Sequence, residues 1–383
     1  MQPGRWGRAS SPRADVIQLS ALPLLDYFRQ RHGKPQVYAV LMLLALLAQC
    51  LWVSAHTPAG ELERMYVREG RLQWEGVRFA GDGAHSPFPY LVAGLPAHLL
   101  GGPVDGPLEG RRLLLVRLPF MIFALLLGAS VWYVARRLYS NPGGYIALAL
   151  YCSSPEVVGH AARVSPETAA AWGFFGIVFT GIATAHTLYA PPAEAWREAR
   201  PRLALLGLSV GVGVGASFSA VIGIPLALAF MLYLVPGGRR RALLMLAISC
   251  FLGLVLLWAA YFLSAHALVQ GLADAYLSHF LPAPNAGWLA RAVAVGDELI
   301  EALTLPGGLL LGVALGTYLG WRRARYFGNT APLLVGLLLV AWMFLQPRYL
   351  TPEIVPWVMP FFFIFVAGIC TDLLELRGRT AKS

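Results

Sequence analysis

The chain has 383 residues, 57% hydrophobic and 13% charged, against about 25% charged in a soluble domain. That deficit excludes a soluble enzyme, a disordered chain and a nucleic-acid-binding module, and the long unalternated apolar runs exclude an outer-membrane barrel. The net charge of +10 fits this, because only Lys34 and Lys382 are lysines and the arginines gather at the ends of apolar runs, where they orient a membrane protein.

A span needs about 20 apolar residues to cross ~30 Å of hydrocarbon. On that rule the chain reads as an all-α polytopic membrane protein with about ten transmembrane helices, over 37–54, 113–135, 144–162, 168–189, 203–217, 219–236, 242–264, 304–320, 331–346 and 355–373. The pair 203–217 and 219–236 is short and Gly-rich, and reads equally as one broken hairpin. Residues 1–36 form a cytoplasmic N-terminus with an amphipathic helix over 16–31. The run 37–54 is an uncleaved anchor, since the region before it is too long for a signal peptide. An outer loop, 55–112, follows, then the bundle 113–373 with a second large outer loop over 265–303, and a cytoplasmic tail over 374–383.

Within the first loop, 87–100 is too short to span and holds three prolines and His98. It suits a juxtamembrane helix. Charge supports that choice. With 87–100 in the interface, twenty of the thirty basic residues fall on one side, including Arg136/Arg137, Arg197/Arg200/Arg202, Arg239–Arg241 and Arg322/Arg323/Arg325. That side is the cytoplasm, with both termini there. Cys50, Cys152, Cys250 and Cys370 all lie in apolar stretches and read as small buried hydrophobes. Gly211, Gly213 and Gly215 read as close helix packing.

Chemistry is expected in the long outer loops. Glu61 and Glu63 open the first loop beside the mouth of a span, where a carboxylate serves as general base or holds a divalent metal; they fit an amphipathic surface helix equally well. His85, before Pro87, adds an imidazole or is simply solvated. A second constellation is Ser154-Pro155-Glu156 through His160 to Arg163, then Ser165-Pro166-Glu167. Glu156 and His160 are i,i+4 neighbours. An ionisable group within a span costs ~2.5–3.5 kcal/mol, so this set requires a wet cavity or mutual pairing. Third, Arg348 and Tyr349 at the outer end of a span suit a lipid phosphate clamp or an ordinary interface anchor.

The order of these segments resembles the polyprenyl-phosphate-sugar-dependent glycosyltransferases of the GT-C fold, the group of protein O-mannosyltransferases and the aminoarabinose transferase of lipid A. The matching elements are His85-Ser86-Pro87, Arg117-Leu118-Pro119 with Arg136-Arg137-Leu138-Tyr139, Ser154-Pro155, Pro166-Glu167, and Arg348-Tyr349-Leu350-Thr351-Pro352. The resemblance implies transfer of a sugar from a polyprenyl-phosphate donor to an acceptor at the outer face. Glu61 or Glu63 would be the base, with Glu167 supporting the acceptor or a metal, and Arg348, with Arg117 or Arg163 second, would hold the leaving phosphate.

The sequence departs from the family in placing Leu62 where the catalytic Asp stands, and in lacking the family's Lys at Ala216-Ser217-Phe218-Ser219-Ala220. Two alternatives therefore stand beside the enzyme: an inactive GT-C-like scaffold or lipid-binding subunit, and a transporter or flippase with Glu156, His160 and Arg163 as a relay. The expected partners are the lipid-linked sugar, an acceptor and membrane lipids, without nucleic acid. The expected location is a bacterial inner membrane.

Overall fold

A computed structural model of the chain describes residues 35–76, 86–101, 108–189, 191–279, 287–345 and 355–380. The chain divides into Met1–Tyr38, of which only the first turn of a helix is described, and Ala39–Ser383, which holds everything that follows. The amphipathic helix expected over 16–31 lies outside the described residues.

The described residues are helical, with no strand among them. In chain order they form α1 (Pro35–His56), α2 (Glu61–Trp74), α3 (Pro87–Leu100), α4 (Gly110–Cys152), α5 (Pro155–Ala161), α6 (Pro166–Thr187) and α7 (Pro192–Ala216). Then follow α8 (Gly223–Leu234), α9 (Arg239–Ala260), α10 (Ala265–His279), α11 (Trp288–Gly320), α12 (Phe327–Leu345) and α13 (Val355–Thr380). Seven of these, α1, α4, α6, α9, α11, α12 and α13, are long and apolar enough to cross a membrane.

α4 counts twice, because it folds back on itself at Tyr139 and Ser140, where Ser140 has φ 66°. The Tyr151 hydroxyl donates to the Ala124 carbonyl at 2.9 Å, and a Cβ on Gly144 would strike Arg136, so the two limbs run antiparallel. Of the other expected spans, 203–217 falls in α7 and 219–236 in the shorter apolar stretch Phe218–Leu234, whereas the span expected over 144–162 breaks after Cys152. The chain is an all-α polytopic membrane protein. The Gly-rich pair is not a packed hairpin: α7 ends at Ser217 in an extended residue and packs between α6 and α9, whereas α8 packs mainly on α6.

α13 is the hub. Every described residue from Val355 to Phe365 is buried, as a helix apolar all round requires. Trp357 stacks on Phe174 of α6, and Phe361 meets Phe174 edge-on and Phe175 at a tilt, with ring centroids 5.4–6.0 Å apart. Glycines let α7 approach both neighbours. A Cβ on Gly173 would lie 2.3 Å from Gly213, and one on Gly253 would meet Val210 at 2.5 Å.

At one end of the bundle, α2 and α3 pack as juxtamembrane helices, so closely that a Cβ on Gly70 would lie 1.8 Å from the Tyr90 carbonyl oxygen. Trp74 Nε1 donates to the Leu91 carbonyl at 2.9 Å, and Gln73 Nε2 reaches the Ala260 carbonyl at the end of α9. At the opposite end the α4 turn, the start of α12 and the middle of α13 are tied by Tyr139 donating to the Gly328 carbonyl at 2.6 Å and Asn329 donating to Asp372 at 2.8 Å. Arg136 of that turn donates to Asn141, and Arg202 donates to the Ala183 carbonyl near the C-terminus of α6.

Candidate functional site

The site grows from one residue of the first loop. The α2 helix begins at Glu61, and its third residue, Glu63, turns back to accept the Gly60 N–H at 3.0 Å, half of a capping box. From there its carboxylate meets Arg117 of α4: Nε donates to Oε1 at 2.9 Å and Nη2 to Oε2 at 2.6 Å. The Val164 N–H, from the α5–α6 connection, adds a bond to Oε1 at 2.8 Å. Four donors thus occupy the roughly four lone-pair sites of a carboxylate. Burial works to raise its pKa, but the bonds from Arg117, Val164 and Gly60 outweigh it and hold Glu63 below the ordinary carboxylate range.

Arg117 is completely buried and equally committed. Besides Glu63 it donates from Nη1 to the carbonyls of Ser54 and Thr57 at 2.8 and 2.9 Å, and from Nη2 to the Pro58 carbonyl at 3.2 Å. All five guanidinium N–H groups have a partner. The Ser54 and Thr57 carbonyls belong to the end of α1 and the residue after it, so Arg117 also satisfies groups a helix C-terminus leaves open.

Val164 is followed by Ser165, and there the second constellation assembles. The second limb of α4 ends at Cys152, so α5 sits beyond that span, with Ser154 as its N-cap accepting the Val157 N–H. One turn of α5 aligns Glu156 with His160, and Glu156 Oε1 lies 3.1 Å from His160 Nε2. Nδ1 of the same ring lies 3.0 Å from Ser165 Oγ and 3.8 Å from Glu167 Oε2. The Ser165 hydroxyl donates to Glu167 Oε2. Burial alone would lower the His160 pKa, but its contacts with Glu156 and Glu167 outweigh that and push it up to about 9. The side chains of Glu156, His160 and Glu167 are 22%, 25% and 19% exposed.

Of the residues singled out from the sequence, Glu63, Arg117, Glu156, His160 and Glu167 are thus joined into one assembly through Val164 and Ser165. Glu61, two positions along α2 from Glu63, is exposed, as are Leu62 and Arg163. His85, Arg348 and Tyr349 lie outside the described residues. Sequence reasoning did not single out Ser54 or the Val164 amide; backbone donors and acceptors carry no residue signature. Ser165 was visible only as the residue before Pro166, a helix-start pattern.

Among the described residues no group of three or more His, Cys, Asp or Glu is placed to hold a metal ion.

No protein-family description matches the chain, and no curated protein sequence matches it. Solved structures do. ArnT from Cupriavidus metallidurans bound to undecaprenyl phosphate superposes with TM-score 0.66 at 15% identity, over 90% of this chain and 62% of that one. The Archaeoglobus fulgidus oligosaccharyltransferase in its apo form gives TM-score 0.59 at 13% identity, over 93% and 52% of the two chains. The oligosaccharyltransferase AglB of the same organism, in complex with an inhibitory peptide and a dolichol-phosphate, gives 0.52 at 13% identity, over 91% and 50%. The chain therefore spans between half and two thirds of the length of these structures. At such identities the likeness shows the fold alone: the chain has the GT-C fold of these structures.

Proposed function

We propose that this chain is a membrane glycosyltransferase that moves a sugar from a polyprenyl-phosphate donor to an acceptor at the outer face of the membrane. The observation that carries the reading is the half-open Glu156–His160–Ser165–Glu167 cluster, fixed at one end of an apolar bundle by the Glu63–Arg117 pair. The GT-C fold supports the same reading, as do the undecaprenyl phosphate in ArnT and the dolichol-phosphate in AglB.

On this reading Glu167 is the proton acceptor. It is held by Ser165, faces His160 and keeps a fifth of its side chain open. The acceptor hydroxyl passes its proton to Glu167 as its oxygen forms a bond to the anomeric carbon. The bond from that carbon to the phosphate oxygen breaks, and its electron pair leaves with the polyprenyl phosphate. Exposed Arg163, together with Arg348 and Tyr349, would stabilise the charge that develops on the departing phosphate. Glu63 and Arg117, bonded to each other and to backbone, hold the site in shape. Glu61 stands as the second candidate for the base. The basic clusters at the opposite end would face the cytoplasm of a bacterial inner membrane, with both termini on that side.

One observation favours the alternative of a non-catalytic, lipid-binding relative. The buried first-loop carboxylate, Glu63, is fully occupied, and exposed Leu62 stands where the family carries its Asp. A single assay separates the two. Membranes containing the protein are given a panel of polyprenyl-phosphate sugars, and release of free polyprenyl phosphate is followed. Release that falls at least a hundredfold in Glu167→Gln but not in Glu61→Gln is the expected result, in line with ~10²–10⁴ for a lost general base. Equal release from both variants and the wild type removes Glu167 from the mechanism, and binding of the lipid without any release supports the alternative.

A further inference from the structure

The turn that ends α9 folds the chain back on itself. Phe262 and Leu263 are consecutive non-glycine residues with φ 51° and 61°, a conformation kept only where the surroundings impose it. The Leu263 N–H donates to the Trp258 carbonyl at 3.0 Å, and the Ser264 hydroxyl opens α10 by accepting the Ala267 N–H at 3.3 Å. α10 then lies close against the end of α9: a Cβ on Gly271 would stand 2.1 Å from the Tyr261 hydroxyl oxygen. Ala267, Leu268 and Ala275 take its inward face, the first two packed on the core and the third buried. A second face, at i, i+3 and i+7, carries Val269, Leu272 and Tyr276, which are 67%, 37% and 59% exposed. A third face carries His266 and Gln270, both exposed. An outward apolar stripe bordered by polar residues is the pattern of a helix that lies in a membrane interface.

We propose that α10 is seated in the bilayer leaflet on the site side, with Val269, Leu272 and Tyr276 in the acyl–headgroup boundary and His266 and Gln270 along its aqueous edge. Continuity with α9 identifies lipid as what covers the stripe. α9 is long and apolar enough to cross a membrane, and its exposed Phe251, Val255 and Trp258 share one helical face. Exposed Phe262 and Leu263 prolong that ridge, and from Phe251 to Ala265 the chain holds no charged residue. The level at which the ridge leaves the span is also fixed. Ala260, the last residue of α9, accepts from Gln73 of α2 at 3.2 Å, and Trp74 of α2 meets the Phe262 ring edge-on at 5.4 Å. α10 therefore starts at the depth of the juxtamembrane pair α2 and α3. As a helix it satisfies its own backbone groups, which a lipid-facing segment must do. Part of the outer loop expected over 265–303 is on this account a membrane element, whether or not the site transfers a sugar.

The test places the full chain, its four cysteines replaced by alanine, in nanodiscs of phosphatidylethanolamine and phosphatidylglycerol. A nitroxide is attached in turn to Val269→Cys, Leu272→Cys, Tyr276→Cys, His266→Cys and Gln270→Cys. Molecular oxygen gathers in hydrocarbon and a nickel chelate stays in water, so the ratio of their relaxation effects reads the medium each position meets. Oxygen is expected to dominate at 269, 272 and 276, with the order inverted at 266 and 270. Nickel dominant at all five positions would put α10 in water and overturn the inference. Apolar positions reached by neither reagent would overturn it too, since another protein surface, such as a second copy, would then cover the stripe. Oxygen dominant at all five would keep α10 in the leaflet but overturn His266 and Gln270 as its aqueous edge. Should the cysteine-free chain fail to fold, the unaltered chain in the same nanodiscs is irradiated with a phospholipid that carries a diazirine on its acyl chain. Adducts on Val269, Leu272 or Tyr276 are then expected, and adducts on α9 with none on α10 overturn the proposal.

Discussion

At the scale of single residues, two ionic assemblies sit side by side and differ in what they leave available. In the Glu63–Arg117 pair each donor and each lone pair is used, so the cost of burying two charges is offset by hydrogen bonds rather than by solvent. Removing either partner strands the other. Glu63→Ala or Arg117→Ala should therefore cost about 3–5 kcal/mol. Arg117→Lys should cost nearly as much, since an ammonium cannot reproduce the planar fork. Chemical denaturation with a double-mutant cycle would check this; additive losses would mean that the pair is not coupled. The His160 assembly is different, because it titrates. With its pKa raised from an ordinary 6.5 to about 9, His160 contributes stability that is fully present below pH 6.5 and is lost as pH rises through about 9. Melting temperatures of the solubilised protein across that window should fall toward the alkaline side, and His160→Gln should flatten the slope.

At the scale of elements, glycine contacts decide how closely helices approach. Gly70 of α2 and Gly94 of α3 meet backbone to backbone: a Cβ on Gly94 would stand 2.2 Å from the carbonyl carbon of Gly70. Backbone cannot move aside as a side chain can. Gly70→Ala or Gly94→Ala should force α2 and α3 apart and destabilise the protein by about 1–3 kcal/mol. Because α2 carries Glu63, a variant that still folds should also lose activity. Gly316→Ala on α11, where a Cβ would meet nothing within 4 Å, is the matching control and should melt at or above the wild-type temperature. Thermal melts of the three variants test this directly, and an unperturbed Gly70→Ala would contradict the contact. The alternate glycines of α7 were legible in the sequence as a packing surface. Their partners, Gly173 on α6 and Gly253 with Leu256 on α9, were not, because nothing local to 211–215 names the opposing helix.

At the scale of the whole molecule, the chain has two chemically distinct ends. The site end gathers the end of α1, α2, α3, α5 and the start of α6, and the opposite end carries the α4 turn and the basic residues beside it. In a version lacking the four native cysteines, an impermeant maleimide should label Glu61→Cys from the outer side and Gly237→Cys only from the cytoplasmic side. Labelling of both from one side would overturn this orientation.

The sequence by itself determined the class, the spans and the juxtamembrane nature of 87–100. The physical reason is that a bilayer demands contiguous apolar length and leaves its charge at the ends, both of which are local properties of the chain. It also placed Glu156 on the same helical face as His160, which one turn of helix guarantees. What it could not determine was which charges would be spent on each other. Glu63 and Arg117 are 54 residues apart, and Glu63 and the Val164 amide are 101 apart. Only folding brings α2, α4 and the α5–α6 connection to one point. There the low dielectric binds Glu63 and Arg117 together and leaves Glu156, His160 and Glu167 partly exposed. The kink in α11 belongs to the same level, since Thr304 takes a positive φ that nothing in its local sequence marks.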